Sequence, residues 1–113
     1  METVTLGFMC LFVAVGLLIV GLSVPLMRRR VKPNHLYGFR TPKTMSSEQI
    51  WYEANAYAGK MSVQAGCIFI AAAIVLYFLL RPNFVAYNIT CTIMLLSSMA
   101  VHLFLSFRYL RSL

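Results

Sequence analysis

The sequence predicts an all-α integral membrane protein with three transmembrane helices. Of its 113 residues, 60% are hydrophobic and 12% are charged, and the mean hydropathy is +0.76. This composition is too apolar for a domain with a solvated surface. Stretches without a charged residue lie at about 3–27, 61–80 and 84–107. At ~1.5 Å per residue each can cross a hydrocarbon core of roughly 30 Å, so residues 1–113 are expected to form a single membrane domain.

The distribution of charge predicts how these spans are oriented. The first segment carries Glu2 and no basic residue before Arg28, so it is expected to remain as a helix and not to be cleaved as a secretory signal. The loop at 28–60 is strongly basic, whereas Arg81 alone separates the second and third spans. The positive-inside bias therefore predicts an outside N-terminus, with the loop and the C-terminus cytoplasmic. A basic loop beside anionic lipid accounts for the net charge of +7, so the bilayer is an expected partner and nucleic acid is not.

Short motifs predict how the helices are connected and packed. Arg81-Pro82-Asn83 is too short for anything but a tight helical hairpin, because proline breaks the preceding helix and suits the start of the next. Small residues recur every seven positions in the first span and are expected to form a face for close helix approach. They are Gly7, Ala14 and Gly21.

The loop is predicted to be irregular in its first half and helical in its second. Pro33, Gly38 and Pro42 exclude a regular helix across the first half. Ser46 and Gln49 match the spacing of a capping box, and an amphipathic helix is expected from about residue 47 into the second span. Four small residues along it predict a groove that accepts another helix, or a larger partner protein. They are Ala54, Ala58, Ser62 and Gly66.

Arg40 is the strongest candidate binding residue in the loop. It lies between the flexible Gly38 and the stiff Thr41-Pro42 pair, so a fixed guanidinium there can bind a phosphate or a carboxylate. The alternative is an internal ion pair with Glu48 or Glu53.

Trp51 and Asn55 lie one helical turn apart and can face the Arg40 loop together. The simplest interpretation of this spacing is an interfacial tryptophan at headgroup depth, with the asparagine capping loop backbone groups.

The third span carries a weakly polar stripe that could form an intramembrane site. Cys91, Ser98, His102 and Ser106 recur at helical spacing and should face other helices. His102 can relay protons, but a neutral imidazole bonded across a helix interface is the commoner role.

No motif predicts catalysis, a cofactor or a metal site. No metalloprotease motif, nucleophile elbow or phosphate-binding glycine loop is present in the sequence, so an enzyme is not expected. Cys10, Cys67 and Cys91 lie on three different spans without metal-ligand or disulfide spacing.

The loop motif resembles the SdpI/YfhL family of bacterial membrane proteins. The resemblance rests on Pro33-Asn34, on the run from Tyr37 to Pro42, and on a helical part that carries Trp51, Ala54-Asn55 and Gly59-Lys60. It implies a multi-pass protein of the bacterial cytoplasmic membrane that gives immunity to a secreted killing peptide. In the best-known member, toxin-bound protein also draws a transcriptional repressor to the membrane, but this chain is shorter than that member. The positions carried over as binding residues are Asn34, Tyr37, Gly38, Arg40, Thr41, Pro42, Trp51, Asn55 and Lys60.

Two functions of different classes follow from these features. The first is a non-enzymatic immunity protein whose cytoplasmic loop folds against the inner ends of the helices, and which sequesters or excludes a membrane-active toxin peptide, or reports its presence inward. The second is a small oligomeric transporter, or a lipid- or anion-binding protein, in which Arg40 holds an anionic group and Ser98, His102 and Ser106 line a path. Three helices enclose little space, so a transporter of this kind requires a homo-oligomer.

Overall fold

The computed structural model describes residues 2–113 and contains three long helices. They are α1 (Glu2–Met27), α2 (Glu48–Leu80) and α3 (Phe84–Arg111), and no strand occurs among residues 2–113. All three are long and apolar enough to cross a membrane. The predicted all-α architecture with three membrane-crossing helices is confirmed.

The second helix is one continuous element of 33 residues. At 1.5 Å per residue it is roughly 50 Å long, well beyond a hydrocarbon core of about 30 Å. The molecule extends 51 Å along its longest axis. The polar first part of α2, 48–60, therefore continues the same helix beyond the apolar part, 61–80.

The start of α2 differs from the prediction by one residue. The N-cap is Ser47, whose hydroxyl accepts a hydrogen bond from the N–H of Ile50 at 3.1 Å. The capping box predicted at Ser46 is wrong, because the Ser46 hydroxyl donates to the Lys43 carbonyl and its N–H closes the same turn. Ser46 therefore belongs to the loop.

The first helix ends in a Schellman motif built around Arg29. The N–H of Arg30 donates to the carbonyl of Pro25 at 2.9 Å, and that of Arg29 donates to Leu26 at 3.2 Å. Arg29 adopts φ +59°, a position usually taken by glycine. This arginine thus starts the loop in a conformation that L-residues rarely adopt.

The α2–α3 connection is the predicted tight hairpin. Asn83 caps α3 by accepting from the N–H of Ala86 at 3.1 Å. Deeper in the bundle the Tyr87 hydroxyl donates to the carbonyl of Ala73 at 2.9 Å, which ties α3 to α2. Tyr87 and Ala73 are both fully buried and form a small core with Phe69 and Cys91.

The close approach of α1 to α2 uses different small residues from those predicted on α1. Gly7, Ala14 and Gly21 are exposed, and a Cβ at Gly7 or Gly21 would meet nothing within 4 Å, so the predicted face does not form the contact with α2. A seven-residue repeat drifts around a straight helix, and the contact is set instead by Gly16.

The small residues predicted on α2 do form a groove that accepts a helix. A Cβ on Gly66 would lie 2.7 Å from Val20, and one on the neighbouring Gly59 would lie 2.6 Å from the Met27 nitrogen. Ala54 and Ala58 are buried along the same helix. The groove is filled by α1 of the same chain, which corrects the interpretation that a separate partner protein packs there.

Candidate functional site

The loop between α1 and α2 is fastened to α2 by Trp51 and Asn55. The Asn55 side-chain oxygen accepts from the Phe39 N–H at 2.6 Å, and its amide nitrogen donates to the carbonyls of Phe39 at 3.2 Å and Trp51 at 3.0 Å. The Trp51 indole N–H donates to the carbonyl of Val31 at 2.8 Å. The two side chains, one helical turn apart, therefore hold two separate segments of the loop.

The burial of these side chains agrees with the predicted role of Asn55 but not with that of Trp51. Asn55 is 1% exposed and caps loop backbone groups, as predicted. Trp51 is 0% exposed and bonded to the loop, so it does not present the indole surface that a tryptophan anchored among lipid headgroups requires. The predicted interfacial role of Trp51 is wrong because the loop covers its ring.

Gly38 lets the loop lie directly on this pair. Its φ is +115°, a conformation that L side chains rarely adopt. A Cβ here would lie 3.0 Å from the Asn55 side-chain oxygen and 3.0 Å from the Trp51 ring. A side chain at position 38 would therefore push the loop away from α2.

Asn34 and Tyr37 fix the stretch that precedes Gly38. The Asn34 side-chain oxygen accepts from the N–H groups of Leu36 at 2.8 Å and Tyr37 at 2.9 Å, and its amide donates to the carbonyl of Lys32. The Tyr37 hydroxyl donates to the carbonyl of Leu22 on α1 at 3.1 Å. This part of the loop is thus attached to α1 as well as to α2.

The turn through Thr41 and Pro42 is closed by Thr44, a residue that sequence reasoning missed. The Thr44 hydroxyl accepts from the Thr41 N–H at 2.7 Å and donates to the Thr41 carbonyl at 3.1 Å. Thr44 is fully buried. The two threonines three residues apart around a proline are a recognisable signal for such a turn.

Arg40 lies exposed beside this folded loop, and its guanidinium forms no hydrogen bond or ion pair among residues 2–113. The predicted alternative of an internal pair with Glu48 or Glu53 is therefore wrong. Glu53 is engaged by Arg29 at 3.0 Å, so that acidic side chain is not available to Arg40. The preceding residue, Phe39, packs edge-on against Phe107 of α3, with ring centroids 5.1 Å apart.

The Arg29–Glu53 pair joins the end of α1 to the first turns of α2. The hydrogen bond and the positive charge of Arg29 hold the pKa of Glu53 below its usual value. The Tyr109 hydroxyl on α3 also donates to Glu53 at 3.4 Å. This carboxylate therefore links all three helices at the loop end of the bundle. Lys60, which was also predicted as a binding residue, is exposed.

His102 is bonded across the α2–α3 interface, as the commoner predicted role required. Its Nε2 is hydrogen-bonded to the Ser62 hydroxyl, and its Nδ1 lies 3.4 Å from the hydroxyl of Ser106. Ser106 is 2% exposed. The predicted polar stripe thus faces α2, with Ser98 at the wall of a nearby cavity.

A groove runs from the loop into the crevice between α1 and α3. Its volume is about 530 Å³, and Arg40 and Phe107 line it together with Ser62 and His102. A second cavity of about 220 Å³ adjoins it, and four residues line both. These are Ile19, Ser62, His102 and Leu103. Among residues 2–113 no three His, Cys, Asp or Glu side chains are grouped in a way that could hold a metal ion.

Three membrane-length helices, with a loop folded onto the second, define a multi-pass helical membrane protein. The model of the SdpI/YfhL protein family matches residues 30–107, which include the loop, all of α2 and most of α3. The chain therefore belongs to the SdpI/YfhL family, as its loop motif predicted. Membership supports a membrane protein of the immunity type at the level of the family. Comparison with curated proteins and with solved structures gave no match.

Proposed function

We propose that this chain is an immunity protein that protects its cell against a secreted membrane-active peptide. In this proposal the loop between α1 and α2 faces the cytoplasm and responds to peptide bound among the spans. Family membership supports the class of function. The observation that carries the proposal is the fastening of the loop to α2 by Trp51 and Asn55. A preorganised surface binds a partner without the entropic cost of ordering a flexible segment.

The proposed orientation rests on the basic loop. Of the seven basic residues at 28–60, which include Lys60 of α2, only Arg29 forms an ion pair among residues 2–113, so the remaining charge is available to anionic headgroups and to the positive-inside bias. Leu36 provides a site for the test, since it is 93% exposed.

A chain with its three native cysteines replaced by alanine and with Leu36→Cys can be treated with a membrane-impermeant maleimide. Labelling is expected only after the cells are permeabilised. Labelling in intact cells would place the loop outside and contradict the proposal.

The loop presents one apolar side chain that suits contact with a second protein. Leu36 is almost completely exposed, yet its N–H is fixed by the Asn34 side chain. In this proposal Leu36 is a contact for a peptide or a signalling partner. A repressor-like partner and self-association are both compatible with this surface, and Leu36→Asp should weaken either contact while leaving the loop folded.

The proposed activity is binding and not catalysis. His102 and Glu53 are both engaged in contacts between helices. The His102 imidazole lies beside the hydroxyls of Ser62 and Ser106, and these two are its hydrogen-bonding partners among residues 2–113, so no carboxylate orients the ring as in a catalytic triad.

The direct test is protection of a sensitive bacterial strain that expresses the chain. Cells are challenged with concentrated secreted peptides of the native host, and depolarisation is followed with a potential-sensitive dye. Wild-type protein is expected to delay depolarisation, and Asn55→Ala to lose most of this protection at equal membrane abundance. Asn88→Ala is the matched control, because the Asn88 amide donates only within α3, to Phe84. Full protection by Asn55→Ala, with its loop shown to be open, would remove the loop from the mechanism.

A further inference from the structure

The feature that the proposed function leaves unused is the groove beside Arg40. The Arg40 guanidinium has no hydrogen-bonding or ionic partner in the described part of the chain, although it lines a groove of about 530 Å³. The backbone around it is fixed, since the Asn55 side chain holds Phe39 on one side and Thr44 closes the turn at Thr41 on the other. An unpaired guanidinium carried on a fixed backbone is suited to a phosphate group.

The groove changes in character with depth. At the loop end it carries the cationic Arg40 beside Thr41, and farther in its walls include Ser62 of α2 and His102 of α3. Beyond them the adjoining cavity of about 220 Å³ is bounded mainly by apolar side chains, including Phe69 and Leu95. A cation, a hydrogen-bonding middle and an apolar end match the headgroup, the ester region and the acyl chain of a phospholipid in that order.

The length of the groove fits one leaflet of a bilayer. Its α3 wall runs from Phe107 to Leu95, which is roughly 18 Å at the helical rise. Half of a hydrocarbon core is about 15 Å. The end that carries Arg40 lies just beyond the apolar stretch 84–107, at the level where headgroups begin.

We propose that this groove binds one anionic phospholipid from the leaflet on the loop side. Its phosphate contacts Arg40, and one acyl chain follows the crevice between α1 and α3 past His102 towards Leu95. A free phosphate would use Arg40 alone and would leave the apolar part of the groove without an occupant. This site is independent of the immunity proposal, since a bound lipid is compatible with any function of the loop.

The test is native mass spectrometry of the full chain released from nanodiscs of equimolar phosphatidylglycerol and phosphatidylcholine. The ratio of the two lipids bound per chain reports selectivity. Wild-type protein should retain one phosphatidylglycerol in preference to phosphatidylcholine. Arg40→Gln should reduce this preference about tenfold, because a charge-assisted hydrogen bond is lost. Arg28→Gln, the matched control with the same loss of charge on an exposed side chain, should change it less than about twofold.

A second pair of variants tests the apolar part of the groove. Leu103 lines both cavities, so Leu103→Trp should block the chain path and reduce retention of phosphatidylglycerol. Leu96→Trp places the same ring on the exposed face of α3 outside the groove and should have no effect. Circular dichroism and thermal unfolding establish that each variant is folded.

Three results would overturn the proposal. Equal retention of the two lipids by wild-type protein would show that the groove does not select an anionic lipid. Equal effects of Arg28→Gln and Arg40→Gln would show a diffuse attraction to the loop. Selectivity that depends on Arg40 but survives Leu103→Trp would show an anion site without a lipid chain.

Discussion

Replacement of Asn55 by alanine should release the loop from α2 while leaving the three helices in place. Asn55 supplies one acceptor and two donor contacts, and it is the only α2 side chain for which a hydrogen bond to Phe39 is seen among residues 2–113. Alanine keeps the helix, because it is the best helix former. The effect should therefore be confined to residues of the loop and to the turn of α2 beneath it.

The expected magnitude follows from the backbone groups left behind. Asn55→Ala leaves the N–H and the carbonyl of Phe39 unpaired in a site where the Asn55 side chain is 1% exposed. An unsatisfied buried polar group costs about 1–3 kcal/mol, and water entering the opened site offsets part of this, so we expect about 3 kcal/mol in total. This corresponds to a roughly hundredfold shift of the loop towards its open state.

Hydrogen exchange measured by mass spectrometry on the protein in nanodiscs reports this shift directly. The peptide that covers residues 34–46 should exchange about a hundredfold faster in Asn55→Ala, while peptides from α3 should not change. Asn88→Ala should leave the loop unaffected. Asn55→Asp should also open the loop, because it turns two donors into acceptors that face carbonyl oxygens. Loop exchange within about threefold of wild type in Asn55→Ala would refute the assignment of this side chain as the fastening.

Three further predictions concern other contacts of the loop and the bundle. Gly38→Ala should destabilise the docked loop by about 3 kcal/mol through its positive φ and a steric clash with the indole, measured by the same exchange experiment. Arg29→Gly should be more stable than Arg29→Ala by about 1 kcal/mol in thermal unfolding. Both variants lose the ion pair with Glu53, but only glycine adopts the positive φ of position 29 without strain. Equal stability of the two variants would contradict backbone strain at Arg29. Ser62→Ala should destabilise the α2–α3 contact by about 1 kcal/mol by removing a partner of His102, whereas the exposed Ser97→Ala should not.

Local sequence patterns predicted the parts of this fold that depend on local physics. The apolar stretches specified three helices, and Arg81-Pro82-Asn83 specified the hairpin. The one-turn spacing of Trp51 and Asn55 placed both on the side of α2 that meets the loop. These features depend on helical periodicity and backbone chemistry, which a single sequence carries.

Contacts between distant segments were not predictable in the same way. Arg29 and Glu53 are 24 positions apart, and their pairing depends on the Schellman turn that ends α1. The burial of Trp51 likewise depends on the loop folding back over it, and no periodic pattern encodes that path. The choice of Gly16 over Gly7 and Gly21 depends on where α2 crosses α1.

The continuity of α2 has a mechanical consequence. Its first 13 residues, 48–60, extend roughly 20 Å beyond the apolar part of the same rod. Membrane helices are found over a range of tilts much wider than about 10°. A change in the tilt of α2 by about 10° displaces the N-terminal end of its 48–60 segment by roughly 3 Å. The loop between α1 and α2 is bonded to this end of the helix through Trp51 and Asn55, so it should move together with the helix. Under the proposed function, a peptide that changes the tilt of α2 within the bilayer would therefore also move the loop.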